Sequence, residues 1–114
     1  MKIEIRQNLN QASQLLKDHA QKKILFALSR FGDRIRSITL RVMDINGPKG
    51  GLDKKCQVLL KLKNKTIVLE GVDQNYYTVV DTTIERLQRL VARELERWRD
   101  GRFKQNSSMK KSMI

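Results

Sequence analysis

Hydrophobic and polar residues alternate with two different periods along the chain, and the period divides the chain into strands and helices. A period of two marks a strand, whose successive side chains point to opposite faces, whereas a spacing of three and four marks an amphipathic helix. The pattern predicts strands near residues 2–6, 34–45, 56–62 and 66–72, and helices near residues 12–31 and 75–99. The order of elements is therefore β-α-β-β-β-α.

Capping and turn residues separate these elements. Asn10 or Ser13 is a candidate N-cap of the first helix, and Gly32 is expected to end that helix. Residues 46–51, with the sequence NGPKGG, are expected to form a loop because their glycines and proline suit neither a strand nor a helix. Residues 64–65, Asn-Lys, are expected to form a tight hairpin turn.

The connections predict how the strands pair. The second, third and fourth strands are joined by segments too short for crossovers, so they should form an antiparallel meander. The first two strands are joined through a helix and should pair in parallel if they are adjacent. Both helices must bury an apolar stripe, and one face of the sheet can cover them. We therefore predict an α+β fold with two helices packed on one face of a four-stranded sheet, as in double-stranded-RNA-binding domains.

The last helix has the strongest amphipathic pattern. Asp73 or Asn75 can cap its start, and Tyr77 is expected to lie in the core, whereas Tyr76 is expected to lie at the surface or to stack on a base. Its apolar stripe consists of Tyr77, Val80, Ile84, Leu87, Val91, Leu95 and Trp98. The chain beyond the helix is polar, basic and aperiodic. We expect one domain over residues 1–100 and a short flexible basic tail over residues 101–114.

Four arginines lie on the same helix, far from its apolar stripe. Arg86, Arg89, Arg93 and Arg97 fall within an arc of about 80° on a helical wheel. One interpretation is a solvated helix face with pairs four residues apart, such as Glu85 with Arg89. The other is a surface that binds phosphate, which arginine contacts through two parallel hydrogen bonds.

The net charge favours the phosphate-binding interpretation. The chain has 24 Lys and Arg residues against 12 Asp and Glu residues, a formal net charge of +12, so the positive charge cannot be neutralised internally. A small domain with this surplus attracts polyanions. Nucleic acid is the first partner to expect. An anionic membrane surface comes second, and weakly, because the core needs the apolar stripes.

The first helix adds a second group of basic residues. Lys23 and Arg30 lie on one edge with His19, and Phe26 lies between them at helical spacing. Lys22 lies just beside that edge. We take Lys22, Lys23 and Arg30 as RNA-binding candidates together with the four arginines, and we interpret His19 as a partly buried surface histidine.

The glycine-rich loop does not match a nucleotide-binding loop. A Walker A loop joins a strand to a helix and ends in Gly-Lys-Ser/Thr, whereas residues 46–51 join two strands and lack that ending. We therefore interpret it as a mobile hairpin loop. Lys49, Lys54 and Lys55 are secondary RNA-binding candidates there.

The residues needed for catalysis or metal binding do not cluster in the sequence. His19 and Cys56 are the only histidine and cysteine, and they lie on different predicted elements. We expect no enzymatic activity, no cofactor and no metal site. A single cysteine excludes an internal disulfide, and no apolar run approaches the roughly 20 residues of a membrane span. With charged residues where a signal peptide has its apolar core, these features predict a cytoplasmic protein.

The element order and several motifs resemble one family. The chain resembles the ribosome hibernation-promoting factors, also called ribosome-associated inhibitor A or sigma-54 modulation proteins, in their short form, over about residues 1–100. The segments LLKDHAQKKI and RFGDRI resemble the family's first helix and its exit, with Lys23 and Arg30 at basic positions. In DQNYYTVVDTTIERLQRLVAR, the family pattern maps to Asp73, Tyr77, Asp81, Arg86, Leu87, Arg89 and Arg93. Phe26 departs from the lysine that many members have there.

The resemblance implies a function that agrees with the charge pattern. Members of the family bind the small ribosomal subunit near the decoding centre, block translation and preserve idle ribosomes. Two other functions remain open, a general double-stranded RNA-binding module and a protein-interaction modulator of a transcription factor. We also expect a monomer in free solution, because one sheet uses both amphipathic stripes.

Overall fold

A computed structural model describes residues 1–8, 13–45 and 53–107, with the side chains of residues 98–107 left out of the description. Its elements are β1 (Lys2–Asn8), α1 (Gln14–Leu28), a 3₁₀ helix (Ser29–Arg34), β2 (Ile35–Asp44), β3 (Lys54–Leu62), β4 (Thr66–Asp73) and α2 (Tyr76–Ser107). The predicted order β-α-β-β-β-α and the α+β class are confirmed. The predicted loop at residues 46–51 lies outside the described residues.

The four strands form one mixed sheet in the order β1-β2-β3-β4. β1 runs parallel to β2, as its helical connection predicts, with Ile5 opposite Leu40. The other pairs are antiparallel, and Val42 lies opposite Cys56 between β2 and β3. The turn between β3 and β4 is tight, since the Leu62 amide donates to the Lys65 carbonyl over 2.7 Å.

The core lies between the helices and one face of the sheet. Residues with period two on the strands meet residues with helical spacing on α1 and α2, so both patterns are buried in one layer. The fully buried large side chains are Ile24, Leu28, Ile38, Leu40, Val42, Val58, Leu60, Val79, Val80, Ile84, Leu87 and Val91. Among the described residues, the opposite face of the sheet has no covering helix, and Val68 and Val72 are exposed there.

α1 is shorter than its apolar pattern predicts. Ser13 caps it, because its hydroxyl accepts a hydrogen bond from the Leu16 amide over 3.1 Å. The α-helix ends at Leu28, and the chain then continues as a 3₁₀ helix that includes Gly32. The prediction that Gly32 ends the α-helix was therefore wrong. The apolar spacing continues to Phe31 because the 3₁₀ helix also packs Phe31 against the core.

α2 begins where the sequence predicts but ends later. The Asn75 side chain accepts hydrogen bonds from the amides of Tyr77 and Thr78 at 2.8 and 3.2 Å, so Asn75 is the N-cap. The helix continues to Ser107, past the predicted end at Arg99 and through Gly101. Residues 108–114 of the predicted tail lie outside the described residues.

The two tyrosines at the start of α2 have exchanged their predicted roles. Tyr76 is half-buried against the core, whereas Tyr77 is 39% exposed. Val79 takes the buried position that was expected of Tyr77. The apolar stripe is therefore shifted by part of a turn at the first turn of α2.

Candidate nucleic-acid interface

Four arginines cover the outer side of α2, which is turned away from the sheet. All four are exposed, because Ile84, Leu87 and Val91 bury the opposite side of the same helix. We call this set the arginine face, and its members are Arg86, Arg89, Arg93 and Arg97. The structure thus places these sequence candidates together, as their spacing predicts.

The two outer arginines of the arginine face have partners within the protein, whereas the two middle arginines have none among the described residues. Arg86 Nη1 donates to the Glu70 carbonyl of β4 over 3.2 Å, and Arg97 Nη1 lies 3.9 Å from a Glu94 carboxylate oxygen. Neither Arg89 nor Arg93 has a hydrogen bond or ion pair with residues 1–8, 13–45 or 53–97. Two full positive charges therefore face solvent in the middle of the face.

Two charged pairs cross the seam where α1 and α2 lie side by side. His19 Nε2 lies 2.7 Å from Asp81 Oδ1, and Lys23 Nζ donates to Glu85 Oε2 over 3.1 Å. The Tyr77 ring meets the His19 ring edge-on, with 5.0 Å between centroids. His19 is half-buried, as predicted, but Lys23 is paired with a carboxylate and is less available to a phosphate than the sequence implied.

Asp81 and Glu85 are the two site residues whose role the sequence analysis missed. They lie four residues apart on α2 and face two basic residues that lie four residues apart on α1. This match of spacing and opposite charge was visible in the sequence. The pair within α2 that the sequence offered, Glu85 with Arg89, does not form, because Glu85 reaches Lys23 instead.

The outer side of α1 and the 3₁₀ helix extends the same surface. Lys22 and Arg30 are exposed, and the Arg30 guanidinium carbon lies 4.6 Å from the centroid of the Phe31 ring. Phe26, between them in sequence, is 86% exposed. Since α1 and α2 lie side by side on the sheet, their outer sides form one continuous surface.

The secondary candidates on β3 are engaged by carboxylates. Lys54 Nζ lies 3.1 Å from Asp53 and 3.4 Å from Asp44, and the hydrogen bond to Asp53 is the main cause that raises the pKa of Lys54. Lys55 Nζ lies 3.4 Å from Glu70. Local charge is therefore largely balanced here. Lys49, the third candidate, lies outside the described residues.

The described residues contain no group of three or more His, Cys, Asp or Glu side chains that could hold a metal ion. Burial raises the pKa of the Cys56 thiol to about 12, so this sulfur is a poor nucleophile at neutral pH. Over the same residues, no helix is long and apolar enough to cross a membrane.

Comparison with known proteins identifies the fold and a family. Residues 3–99 match the family described as sigma 54 modulation protein / S30EA ribosomal protein. No curated protein sequence matches the chain.

Two solved structures have a similar fold. A ribosomal subunit interface protein from Coxiella burnetii superposes with a TM-score of 0.69 at 22% identity, covering 84% of this chain and 99% of that one. The N-terminal domain of Protein Y from Thermus thermophilus superposes with a TM-score of 0.62 at 21% identity, covering 82% of this chain and 98% of that one. At these identities the likeness shows the fold.

Proposed function

The chain belongs to the sigma 54 modulation protein / S30EA ribosomal protein family, and on this premise we propose that it is a ribosome hibernation factor. It binds the small ribosomal subunit in the cytoplasm and inhibits translation. Its contact is with ribosomal RNA near the decoding centre. The arginine face makes this contact together with Lys22, Lys23 and Arg30. The name of the Coxiella protein, a ribosomal subunit interface protein, agrees with this proposal.

The observation that carries the proposal is the uncompensated charge of Arg89 and Arg93. An exposed guanidinium without a carboxylate partner loses no ion-pair energy when it binds phosphate, because no ion pair has to break first. Lys23, Lys54 and Lys55 are held by carboxylates and are weaker contributors for the same reason.

The backing of the surface also supports recognition of folded RNA. α2 is packed on the sheet through Ile84, Leu87 and Val91, which are fully buried, so its outer side keeps its shape. Contacts to phosphates position a protein on RNA, and folded RNA is recognised mainly by shape and backbone. The family match over residues 3–99 supports a ribosome-binding unit over about residues 1–100, with the remainder as a basic extension.

Sedimentation with ribosomes tests the proposal. In a sucrose gradient of cell lysate at moderate salt, the protein should migrate with small subunits or whole ribosomes, most strongly in slowly growing cells. Purified protein should also bind purified small subunits. If it stays at the top of the gradient and fails to bind purified subunits, the proposed function is wrong.

Two further experiments distinguish the proposed function from the two alternatives. A general double-stranded RNA-binding module would bind a plain RNA duplex as tightly as it binds small subunits. A modulator of a transcription factor would retain its partner after nuclease treatment of the lysate. We expect the duplex to compete poorly and nuclease treatment to release the protein.

A further inference from the structure

Phe26 is the most exposed large apolar side chain on the described surface. It is 86% exposed on the outer side of α1, so the fold does not use its ring for packing. Single exposed apolar residues are common, and exposure alone indicates no ligand. The position of Phe26 within a charged surface is what distinguishes it.

Basic residues flank Phe26 on both sides along the chain. Lys22 lies four residues before it and Arg30 four residues after it, and both are exposed. Within α1, the four residues from Lys22 to Phe26 correspond to about one helical turn, or about 6 Å along the axis. Arg30 lies beyond the end of α1, in the 3₁₀ helix, where its guanidinium carbon is 4.6 Å from the centroid of the Phe31 ring. Phe26 therefore lies between two basic residues along the chain, and this surface continues towards the arginine face.

This arrangement favours an RNA strand over the other possible occupants. A second copy of the chain would bring Lys22 and Arg30 towards like charges, because the whole chain carries a net charge of +12. An unpaired nucleotide offers an aromatic base for the ring and negatively charged phosphates for the flanking cations.

We propose that Phe26 stacks on an unpaired base of the small-subunit ribosomal RNA, while Lys22 and Arg30 contact the phosphates on either side of that base. This inference rests on the proposed function and adds a contact of a different kind. The arginine face contacts the phosphates of the RNA backbone, whereas Phe26 can stack only on a base that is unpaired and accessible.

Leu15 provides a matched control on the same helix. It is 74% exposed and lies 11 residues before Phe26, about three turns along the helix. Three residues on is Asp18, which accepts a hydrogen bond from Gln14 at 2.9 Å, and four residues on is His19, which is half-buried and lies 2.7 Å from Asp81. Leu15 is therefore an exposed apolar residue in a part of α1 without flanking cations on both sides.

Equilibrium binding of the full chain to purified small subunits at several salt concentrations tests the inference. Phe26→Ala should weaken binding by about 5- to 100-fold, the range for loss of one stacked base. The salt dependence should not change, because no charge is lost. Phe26→Tyr should bind within about threefold of the original chain, Phe26→Leu should bind almost as weakly as Phe26→Ala, and Leu15→Ala should be unchanged.

Each contrary result has a distinct meaning. If Phe26→Ala binds as tightly as the original chain, the stacking contact does not exist while the proposed function stands. If Phe26→Leu binds as tightly as the original chain, Phe26 makes a general apolar contact, for example with a ribosomal protein. The proposal that Phe26 stacks on a base is then wrong. If the original chain itself does not bind small subunits, the proposed function fails, and this inference fails with it.

Discussion

The basic side chains of the two helices differ in what already neutralises them. Arg89 and Arg93 have no partner within residues 1–8, 13–45 and 53–97, whereas Lys23 is held by Glu85 at 3.1 Å. The Glu85 carboxylate is half-exposed, so it lies where a phosphate would approach Lys23. Asp81 occupies the same position relative to His19. These acids stabilise the seam and oppose an anionic ligand.

Glu85→Gln should therefore strengthen binding to small subunits. The change removes one negative charge from the surface and releases Lys23, and we expect about a two- to fivefold gain in affinity at low salt, from one charge-pair contact of about 1 kcal/mol or less. Affinity measured against purified small subunits checks this. Glu4→Gln is the matched control, since Glu4 pairs with Arg6 on β1, away from the helices. Equal gains in both variants would contradict a local role for Glu85.

The thiol of Cys56 should not react with alkylating agents in the folded protein. Burial raises its pKa from 9.0 to about 12, so iodoacetamide at pH 8 should not alkylate the native chain while it alkylates the chain in denaturant. Mass spectrometry after timed exposure checks this. The unfolded chain loses the thiol proton at a lower pH than the folded protein does. The free energy of unfolding should therefore fall as the pH rises from about 9 to about 12. Equal labelling rates in native and denatured protein would show that the thiol is accessible.

The sequence predicted the directions of individual side chains better than their partners. The exposure of the arginine face follows from helical spacing alone, and the structure agrees with it. The pairs across the seam depend on how α1 and α2 are placed side by side, which no local pattern specifies. The exchange between Tyr76 and Tyr77 has a similar cause, because the first turn of α2 packs on the sheet through Tyr76 and Val79.

The packing of α2 on β4 depends on a glycine. A Cβ atom added at Gly71 would collide with Thr83 Oγ1 and would lie 3.5 Å from Val79 Cγ2. Thr83 and Val79 are both fully buried, so neither can move away without disturbing the core. The helix and the strand therefore approach as closely as they do because position 71 has no side chain.

Gly71→Ala should destabilise the fold by about 1–3 kcal/mol, the usual cost of overpacking a core. Chemical denaturation monitored by circular dichroism measures it. Gly32→Ala is the control, because nothing lies within 4 Å of the Cβ position at Gly32, and its unfolding free energy should stay within about 1 kcal/mol of the original. Equal free energies of unfolding for the Gly71 and Gly32 variants would show that the fold does not depend on the close approach at Gly71.

At the element scale, periodicity located all four strands and both helices, and the ends of the helices were the errors. Gly32 did not end α1 as predicted, because the chain tightened into a 3₁₀ helix before that residue. Gly101 did not prevent α2 from continuing to Ser107, since one glycine costs a helix only about 1 kcal/mol. Capping at Ser13 and Asn75 was predictable because each side chain can satisfy free amides at a helix start.

On the scale of the whole molecule, the two surfaces of the sheet differ. One surface carries both helices, with the arginine face outermost, and the other is an open sheet face with charged and apolar residues side by side. Arg6 and Arg41 are direct neighbours on that open face, and Lys61 lies on the same face of β3. The molecule is basic on both surfaces, so net charge alone does not decide between them as the proposed RNA-binding surface.

The arrangement of the sheet was predictable because connection lengths restrict it. A helix between β1 and β2 requires a parallel pair if the two are adjacent, and short links make β2, β3 and β4 a meander. The location of the proposed RNA-binding surface is a different question. It depends on which charges remain uncompensated after folding, and this is visible only when both partners of each pair are placed.

The salt dependence of binding to purified small subunits shows directly whether the arginine face contacts ribosomal RNA. The change of Arg86, Arg89 and Arg93 to Gln removes three charges from the arginine face, and the change of Arg6, Arg41 and Lys61 to Gln removes three from the open sheet face. Both variants have the same net charge and should melt close to the original chain.

If the arginine face binds ribosomal RNA, its variant should bind more weakly, and the slope of log affinity against log salt should become shallower by about two to three units, just under one for each lost phosphate contact. The variant of the open sheet face should keep most of the affinity and most of the slope. If both variants lose affinity equally, or if the arginine variant binds with an unchanged slope, the outer side of α2 is a solvated helix face and not an RNA-binding surface.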